Sequence, residues 1–144
     1  MTLSLMAVLA TVAVPLLQLS ARRDKERELR TALVEIRTAI DTYKRAADAG
    51  RIQVRVGESG YPKSLQDLVV GVEDIRSPKH ANLYFLRRLP RDPFHPQDDA
   101  APEETWGLRS YASPPDDPRE GEDVFDVYST SDAVGLNGIP YNQW

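Results

Sequence analysis

The sequence predicts an α+β fold in which one long N-terminal helix packs on a small antiparallel sheet of three or four strands. Three observations predict it. No charged residue occurs from Met1 to Ala21, and no glycine or proline interrupts residues 21–49. Short alternating segments separated by prolines and glycines then fill the rest of the 144 residues. A continuous helix followed by short strands accounts for all three.

Composition excludes several classes of protein before any motif is considered. The chain has no cysteine, which removes disulfides, thiolate metal clusters and thiol nucleophiles. It has two histidines, His80 and His95, too few for a site that needs several imidazoles. The net charge of -4 argues against a nucleic-acid partner, since such proteins usually carry an excess of base.

Residues 1–21 are predicted to form a transmembrane or filament-core helix. As a helix this segment is about 31 Å long, close to the hydrocarbon thickness of a bilayer. A cleaved signal peptide is the weaker interpretation, because no basic segment precedes the stretch and Leu19-Ser20-Ala21 is a poor cleavage site. We expect Pro15 to kink or locally unwind the helix, because proline removes one backbone donor.

Residues 22–50 are predicted to continue this helix as a stem that ends at Gly50. Apolar residues recur at alternating spacings of four and three, so they form one stripe along a helix. The stripe is expected to complete the core of the remaining chain, which is too short to bury enough apolar surface alone. Its members are Leu29, Leu33, Ile36, Ile40, Tyr43 and Ala47.

Charge divides the chain into two parts. Residues 1–50 carry eight bases and six acids, whereas residues 51–144 carry ten bases and sixteen acids. The charged first turns of the stem, residues 22–28, have no obvious partner within the chain, and we expect them to meet neighbouring copies. Opposite charges four residues apart are expected on the wetter side of the stem, in the pairs Glu26–Arg30 and Asp41–Arg45.

Residues 51–144 are predicted to form a globular head of short strands and loops. Ser64 is expected to cap a short helix, with Asp67 three residues later and with Leu65, Leu68 and Val69 on its buried face. Residues 89–94 cannot form regular structure, because they hold two prolines three positions apart. The predicted strands are residues 52–56, 83–86, 108–111 and 124–128.

No arrangement of residues in the sequence predicts catalysis, so we expect no enzyme and assign no catalytic, cofactor-binding or metal-binding residue. Adjacent acids lie in proline-containing loops and are interpreted as solvated surface rather than as facing catalytic carboxylates. These acidic pairs are Asp98–Asp99, Glu103–Glu104, Asp116–Asp117 and Glu122–Asp123.

The C-terminal stretch, residues 126–138, allows two interpretations. Its side-chain oxygens and glycines suit a calcium-binding loop, although their spacing is not that of an EF-hand. The alternative is a glycine turn that closes the last strand, with Tyr141 and Trp144 anchoring the terminus. The candidate calcium ligands are Ser129, Asp132 and Asn137, with Ser131 nearby.

Several motifs follow one another in the head, and together with the helix that contains Pro15 they resemble a known family. They are Tyr61-Pro62-x-Ser64-Leu65-x-x-Leu68, Leu89-Pro90-x-Asp92-Pro93-Phe94, Trp106-Gly107-x-Arg109-Ser110-Tyr111, and Val124-Phe125-Asp126-Val127-Tyr128-Ser129 followed by Leu136-Asn137-Gly138. The chain resembles the pseudopilins of the type II secretion system, and among them the major-pseudopilin (G) group of the type IV pilin-like superfamily. The likeness covers essentially the whole chain.

This resemblance implies a type IV pilin-like fold and a structural role. The chain would be a subunit of a periplasmic pseudopilus that drives export of folded proteins across the outer membrane. It would span the bacterial inner membrane once, with its head in the periplasm. Its partners would be like or mixed pseudopilins in a filament, an inner-membrane assembly platform and, for a fuller-length precursor, a prepilin peptidase. Filament packing would fall to residues Leu5 to Leu19, and the charged residues from Arg22 to Arg30 would pair with acids on an adjacent subunit.

Other interpretations remain open at this point. The alternative closest to the pseudopilin is a minor pilin of a type IV or DNA-uptake pilus. A membrane-anchored periplasmic hydrolase and a single-copy binding module are the further ones. The family begins as a precursor with a short basic leader and a glutamate soon after the cleavage point, and both would fall before Met1. We therefore expect either that the true start lies upstream of Met1 or that the chain is a truncated form.

Overall fold

The computed structural model describes the backbone of residues 2–144 and the side chains of residue 11 and residues 13–144. Its architecture is α+β, with one long helix and two small antiparallel sheets. In chain order the elements are helix α1 (Thr2–Asp48), helix α2 (Gln66–Val70), strands β1 (Val72–Glu73) and β2 (Asn82–Leu83), a 3-10 helix (Pro102–Thr105), strands β3 (Trp106–Arg109) and β4 (Asp126–Ser129), and a second 3-10 helix (Tyr141–Gln143).

Helix α1 has 47 residues and is therefore about 70 Å long. It is continuous through Pro15, so the local unwinding expected there does not occur. Its end confirms the predicted stop at Gly50. Gly50 has a φ of +70°, its N–H donates to the carbonyl of Ala47 at 3.0 Å, and the N–H of Arg51 donates to the carbonyl of Ala46 at 2.9 Å. This is the pattern of a Schellman C-cap, which favours glycine because a side chain is strained at that φ.

The stem of α1 carries the core, as its apolar stripe predicts. All six predicted stripe residues are buried, and the alanines beside them are buried too. The small side chains of these alanines let the head pack close to the helix. The opposite face is exposed at Val34. From the head, this stripe is covered by side chains of α2, the strands and the loops between them, among them Leu65, Leu68, Leu86, Leu89, Trp106, Val124, Val127 and Tyr141.

The predicted single sheet of three or four strands is wrong, because the strands form two separate pairs. β1 pairs with β2 in the register Val72 opposite Leu83. β3 pairs with β4 over four residues each, from Trp106 opposite Ser129 to Arg109 opposite Asp126. The predicted strands at residues 108–111 and 124–128 thus exist as β3 and β4, each shifted by about two residues in the structure.

Two predicted segments differ from the structure for identifiable reasons. Residues 52–56 form no strand, because only Ile52 of their apolar residues is buried and the chain turns back at Arg55. Of residues 83–86, only Leu83 pairs in a strand. The N–H groups of Phe85 and Leu86 both donate instead to the carbonyl of Leu68 in α2, at 3.0 and 2.9 Å.

The short helix α2 is present, but Ser64 does not cap it through its side chain. The helix starts at Gln66, and the carboxylate of Asp67 accepts hydrogen bonds from the N–H groups of Lys63 and Ser64 at 3.1 and 3.2 Å. The Asp67 side chain therefore provides acceptors for the backbone N–H groups just before the helix. Leu65 and Leu68 are buried, as predicted for its inner face.

Before the stem, α1 carries exposed apolar side chains. Val14, Leu16 and Leu17 are 53, 60 and 69% exposed. Part of the segment predicted to pack in a filament, including the side chains of Leu9 and Val12, lies outside the described residues. Among the residues that are described, no helix combines the length and the hydropathy that crossing a membrane requires.

Candidate functional site

A polar site with several hydrogen bonds lies where helix α1 enters the head. We call residues 22–30 of α1 the collar and residues 131–144 the C-terminal strap. The strap turns back on itself, because the N–H of Gly135 donates to the carbonyl of Ile139 at 2.8 Å and the N–H of Tyr141 donates to that of Ala133 at 3.0 Å. A side chain at position 135 would meet the ring of Trp144 at 2.7 Å, so glycine is required for this closure.

Glu26 is the centre of the contact between collar and strap. It is 5% exposed, and its Oε1 accepts a hydrogen bond from the Tyr141 hydroxyl at 2.8 Å and another from the N–H of Leu136 at 2.8 Å. The guanidinium of Arg22 lies 3.9 Å from the same oxygen. The predicted solvent-facing pair of Glu26 with Arg30 is therefore wrong. Arg30 lies instead over the ring of Trp144, 4.5 Å from its centroid.

Arg22 also joins the collar to the strap. Its Nε donates to the Tyr141 hydroxyl at 3.1 Å, and its Nη2 donates to the carbonyl of Val134. The expectation that the first turns of the stem have no partner within the chain is thus wrong, since the strap is that partner. Residue spacing along the helix does not reveal this partner, because the residues of the strap follow more than a hundred positions later in the sequence.

The rest of the collar is more open to solvent. Arg23, Lys25 and Arg27 are exposed. Arg27 makes one ion pair, with Asp24 at 3.4 Å, and Lys25 lies 6.0 Å from the centroid of the Phe94 ring. Of the three acids of the collar only Glu26 is buried, and the five exposed bases outnumber the two exposed acids, Asp24 and Glu28.

The protonation of Tyr141 is set by this enclosure. Burial raises its pKa, the hydrogen bond from Arg22 lowers it, and the hydrogen bond to the Glu26 carboxylate raises it, with a net upward shift. The hydroxyl thus keeps its proton and acts as the donor to Glu26.

Arg37 ties the stem to the last strand and to the end of the strap. Its Nε donates to the carboxylate of Asp126 at 2.7 Å. Its Nη2 donates to the carbonyl of Val127 at 3.1 Å and to the main-chain oxygen of Trp144 at 2.9 Å. One stem side chain thereby fixes both β4 and the residue that ends the strap.

Asp92 connects the motifs on which the family resemblance depends. It is buried, and its carboxylate accepts hydrogen bonds from the Ser129 hydroxyl at 2.5 Å and from the N–H of Phe94 at 2.9 Å. The N–H of Asp92 donates to the Thr105 hydroxyl at 3.0 Å. The Phe94 ring then stacks on Tyr141 with centroids 4.0 Å apart. The Leu-Pro-x-Asp-Pro-Phe loop is therefore joined to β4 and, through Tyr141, to the collar.

The Trp106-Gly107 element has a packing reason of its own. The indole N–H of Trp106 donates to the carbonyl of Pro90 at 2.8 Å. Gly107 lies opposite Tyr128 in the register of β3 and β4, and a side chain at 107 would lie 2.3 Å from the Tyr128 ring. The aromatic ring crosses the strand where glycine leaves room for it.

The candidate calcium ligands have other partners. The Ser129 hydroxyl donates to Asp92 and accepts from the N–H of Ser131 at 3.2 Å. The side-chain oxygen of Asn137 accepts from the N–H of Ile139 at 3.0 Å, and Asp132 is exposed. Across the described residues, no three acidic or imidazole side chains are grouped so that they could hold a metal ion. Of the two interpretations of this stretch, the contacts support the turn, in which Tyr141 is buried.

The acidic pairs of the head are mostly surface groups. Asp98, Asp99, Asp116 and Asp117 are exposed. Asp123 is different, since its carboxylate accepts hydrogen bonds from the Ser59 hydroxyl and from the N–H of Tyr111, the latter at 2.9 Å.

An open cleft of about 560 Å³ lies beside Asp123 and is lined also by Tyr43, Tyr61 and Lys63. Lys63 pairs there with Glu58 at 2.9 Å. The charged groups of the cleft thus include one acid that is paired with a base and one that is hydrogen-bonded to neighbouring loops.

Comparison of the chain with family models, with curated proteins and with solved structures finds no match.

Proposed function

We propose that this chain is a structural subunit of a periplasmic pseudopilus of the type II secretion system, and that its filament drives folded proteins through the outer membrane. In this proposal the chain spans the inner membrane once, with its head in the periplasm. Its partners are further pseudopilins, like or unlike itself, and the inner-membrane assembly platform. A prepilin peptidase processes a fuller-length precursor.

The observation that carries the proposal is the difference between the two parts of α1. The stem buries a complete apolar stripe in the head, whereas the preceding turns keep Val14, Leu16 and Leu17 more than half exposed. A helix that continues for about five turns beyond its own core, with apolar side chains on its surface, needs another apolar environment. A membrane before assembly and sister helices after assembly would supply it.

A second observation supports a structural rather than a catalytic role for the motifs. Three of the motifs that carry the resemblance, those that begin at Leu89, Trp106 and Val124, meet through Asp92, Ser129 and the indole of Trp106. Each of these polar groups joins the Leu89 loop to a strand, so these motifs are explained by the folding of the head.

The proposal is tested by a charge placed on the projecting part of α1. Leu17 and Val70 are 69 and 67% exposed, one on the projecting helix and one on the head. Leu17→Arg should abolish filaments and secretion, because an arginine is costly both in lipid and in a bundle of apolar helices. Val70→Arg is the matched control and should leave both intact.

The assay uses a bacterial host that lacks its own major pseudopilin. This host also carries the other secretion genes of the organism from which the chain comes. Filaments are counted by electron microscopy, and an exported enzyme is measured in the medium. Normal filaments with Leu17→Arg would refute the proposed packing. Filaments that form without restoring export would instead favour the minor pilin of a type IV or DNA-uptake pilus.

A further inference from the structure

We propose that the C-terminal strap lies in the headgroup layer of an anionic bilayer, so that the head rests on the membrane surface through the strap and the collar. This inference rests on the proposed function, in particular on residues 1–21 forming a membrane anchor. It goes beyond that function by assigning the strap a lipid contact of its own.

The level of the strap along α1 is fixed by three hydrogen bonds. The carbonyl of Val134 accepts from Arg22, and the N–H of Leu136 and the hydroxyl of Tyr141 both donate to Glu26. Glu26 is five residues beyond Ala21, a rise of about 7.5 Å along the helix. The headgroup layer on each side of a bilayer is about 5–8 Å thick. With the uncharged segment in the hydrocarbon, the strap is therefore held at headgroup level.

The strap leaves three large apolar side chains nearly half exposed. Val134, Leu136 and Ile139 are 49, 43 and 45% exposed. Most backbone donors between them are already paired, because Gly135 and Gly138 donate to the carbonyls of Ile139 and Gly135 at 2.8 and 2.9 Å and Leu136 donates to Glu26. A loop with most of its backbone donors paired within the protein can enter a less polar layer with little loss of hydrogen bonds to water.

The charge around the strap fits anionic lipid. The buried acid of the collar, Glu26, lies beneath the strap. The exposed charged residues of the collar are five bases and two acids: Arg22, Arg23, Lys25, Arg27 and Arg30 against Asp24 and Glu28. Residues 51–144 have sixteen acids against ten bases, so the collar has the opposite charge balance to the head. Basic side chains beside exposed apolar ones are the combination that binds a lipid surface. The acidic loops of a second copy would match the bases but would leave the apolar side chains uncovered.

The test uses the absence of cysteine from the chain, which makes single-cysteine labelling specific. The full chain is reconstituted in vesicles of phosphatidylcholine with a minority of phosphatidylglycerol. An environment-sensitive fluorophore is attached at Leu136→Cys, at Ile139→Cys, at Leu17→Cys on the projecting helix, or at Val56→Cys on the head. Val56 is fully exposed and is the matched control.

Lipids with a headgroup spin label should quench the strap positions at least about twofold more than position 56, since interfacial segments lie within roughly 5–10 Å of the acyl boundary. Replacing all phosphatidylglycerol by phosphatidylcholine should weaken this quenching. The variant Arg23→Gln/Arg27→Gln should weaken it as well, whereas Arg45→Gln, an exposed stem arginine farther along the helix, should not.

The outcomes separate this inference from the proposed function. If Leu17→Cys is quenched by acyl-chain spin labels while the strap labels behave like the label at 56, the strap does not touch lipid and the anchor stands. If the label at Leu17 is not quenched either, the anchor is wrong and the inference falls with it. Quenching at the strap that changes with the ratio of protein to lipid would indicate a second copy and would overturn the lipid assignment.

Discussion

The hydroxyl of Tyr141 donates a 2.8 Å hydrogen bond to the carboxylate of Glu26, a residue 115 positions earlier in the chain. Both residues are buried, and Arg22 donates to the same hydroxyl at 3.1 Å. This contact fixes the end of the chain against α1 at the level where the helix enters the head. Because the Glu26 carboxylate is buried, the loss of one of its donors leaves a buried acceptor without that hydrogen bond.

Tyr141→Phe should therefore destabilise the protein by about 1.5–3 kcal/mol, the usual contribution of a hydrogen bond to a charged group. The measurement is urea unfolding of the full chain in mild detergent, followed by the fluorescence of the two tryptophans. Tyr84→Phe is the control, because Tyr84 is mostly exposed and its change should stay within about 0.5 kcal/mol of wild type. A Tyr141→Phe variant as stable as the control would show that Glu26 does not depend on this donor.

Patterns within one helix were predictable from the sequence, whereas this contact was not. The stripe from Leu29 to Ala47 and the stop at Gly50 follow from residue spacing and from the φ that a helix end requires. Glu26 shares the same helix, and its spacing to Arg30 predicts a solvated ion pair. Its burial is decided by a loop whose position depends on the tertiary fold, which no local pattern encodes.

The strands, too, were predictable from the sequence only in part. β3 and β4 are predictable because their alternating residues pair with each other over four positions. The stretch at 52–56 alternates equally well, but Val56 has no surface to pack on and remains exposed. Alternation predicts a strand only where another element covers one face, and the sequence does not say which segments are covered.

The bond between Ser129 and Asp92 gives a second prediction. Ser129→Ala removes the 2.5 Å hydrogen bond to a buried carboxylate and should cost about 1.5–3 kcal/mol in the same urea experiment. The neighbouring exposed residue supplies the control, since Thr130→Ala should change stability little. Equal stability of the two variants would mean that Asp92 is satisfied without the serine.

Gly107 gives a prediction in which a second substitution should relieve the effect of the first. In Gly107→Ala the new methyl group would lie 2.3 Å from the Tyr128 ring, and the resulting overpacking should cost about 1–3 kcal/mol. The same change in a Tyr128→Leu background should cost less, because the ring atoms that clash are gone. Unfolding free energies of the four proteins form a double-mutant cycle. Purely additive losses would assign the effect of alanine to the backbone rather than to the ring.

The acid dependence of stability should depend partly on Asp74. Its Oδ2 accepts from Arg51 Nη2 and Nε at 2.7 and 3.1 Å, and its Oδ1 accepts from the N–H of Arg76 at 3.0 Å. The hydrogen bonds from Arg51 hold the pKa of Asp74 below its usual 3.8. Because this pKa is lower in the folded state than in the unfolded state, the stabilisation is complete above the unfolded pKa and is lost as the pH falls through the folded pKa.

Asp74→Asn should thus be less stable than wild type near pH 6, and the gap in unfolding free energy between the two proteins should shrink on acidification to about pH 3. Urea unfolding across this range measures the gap, with Asp116→Asn, a substitution of an exposed aspartate, as the control. A gap for Asp74→Asn that is independent of pH would place the stabilising role in the shape of the side chain and not in its charge.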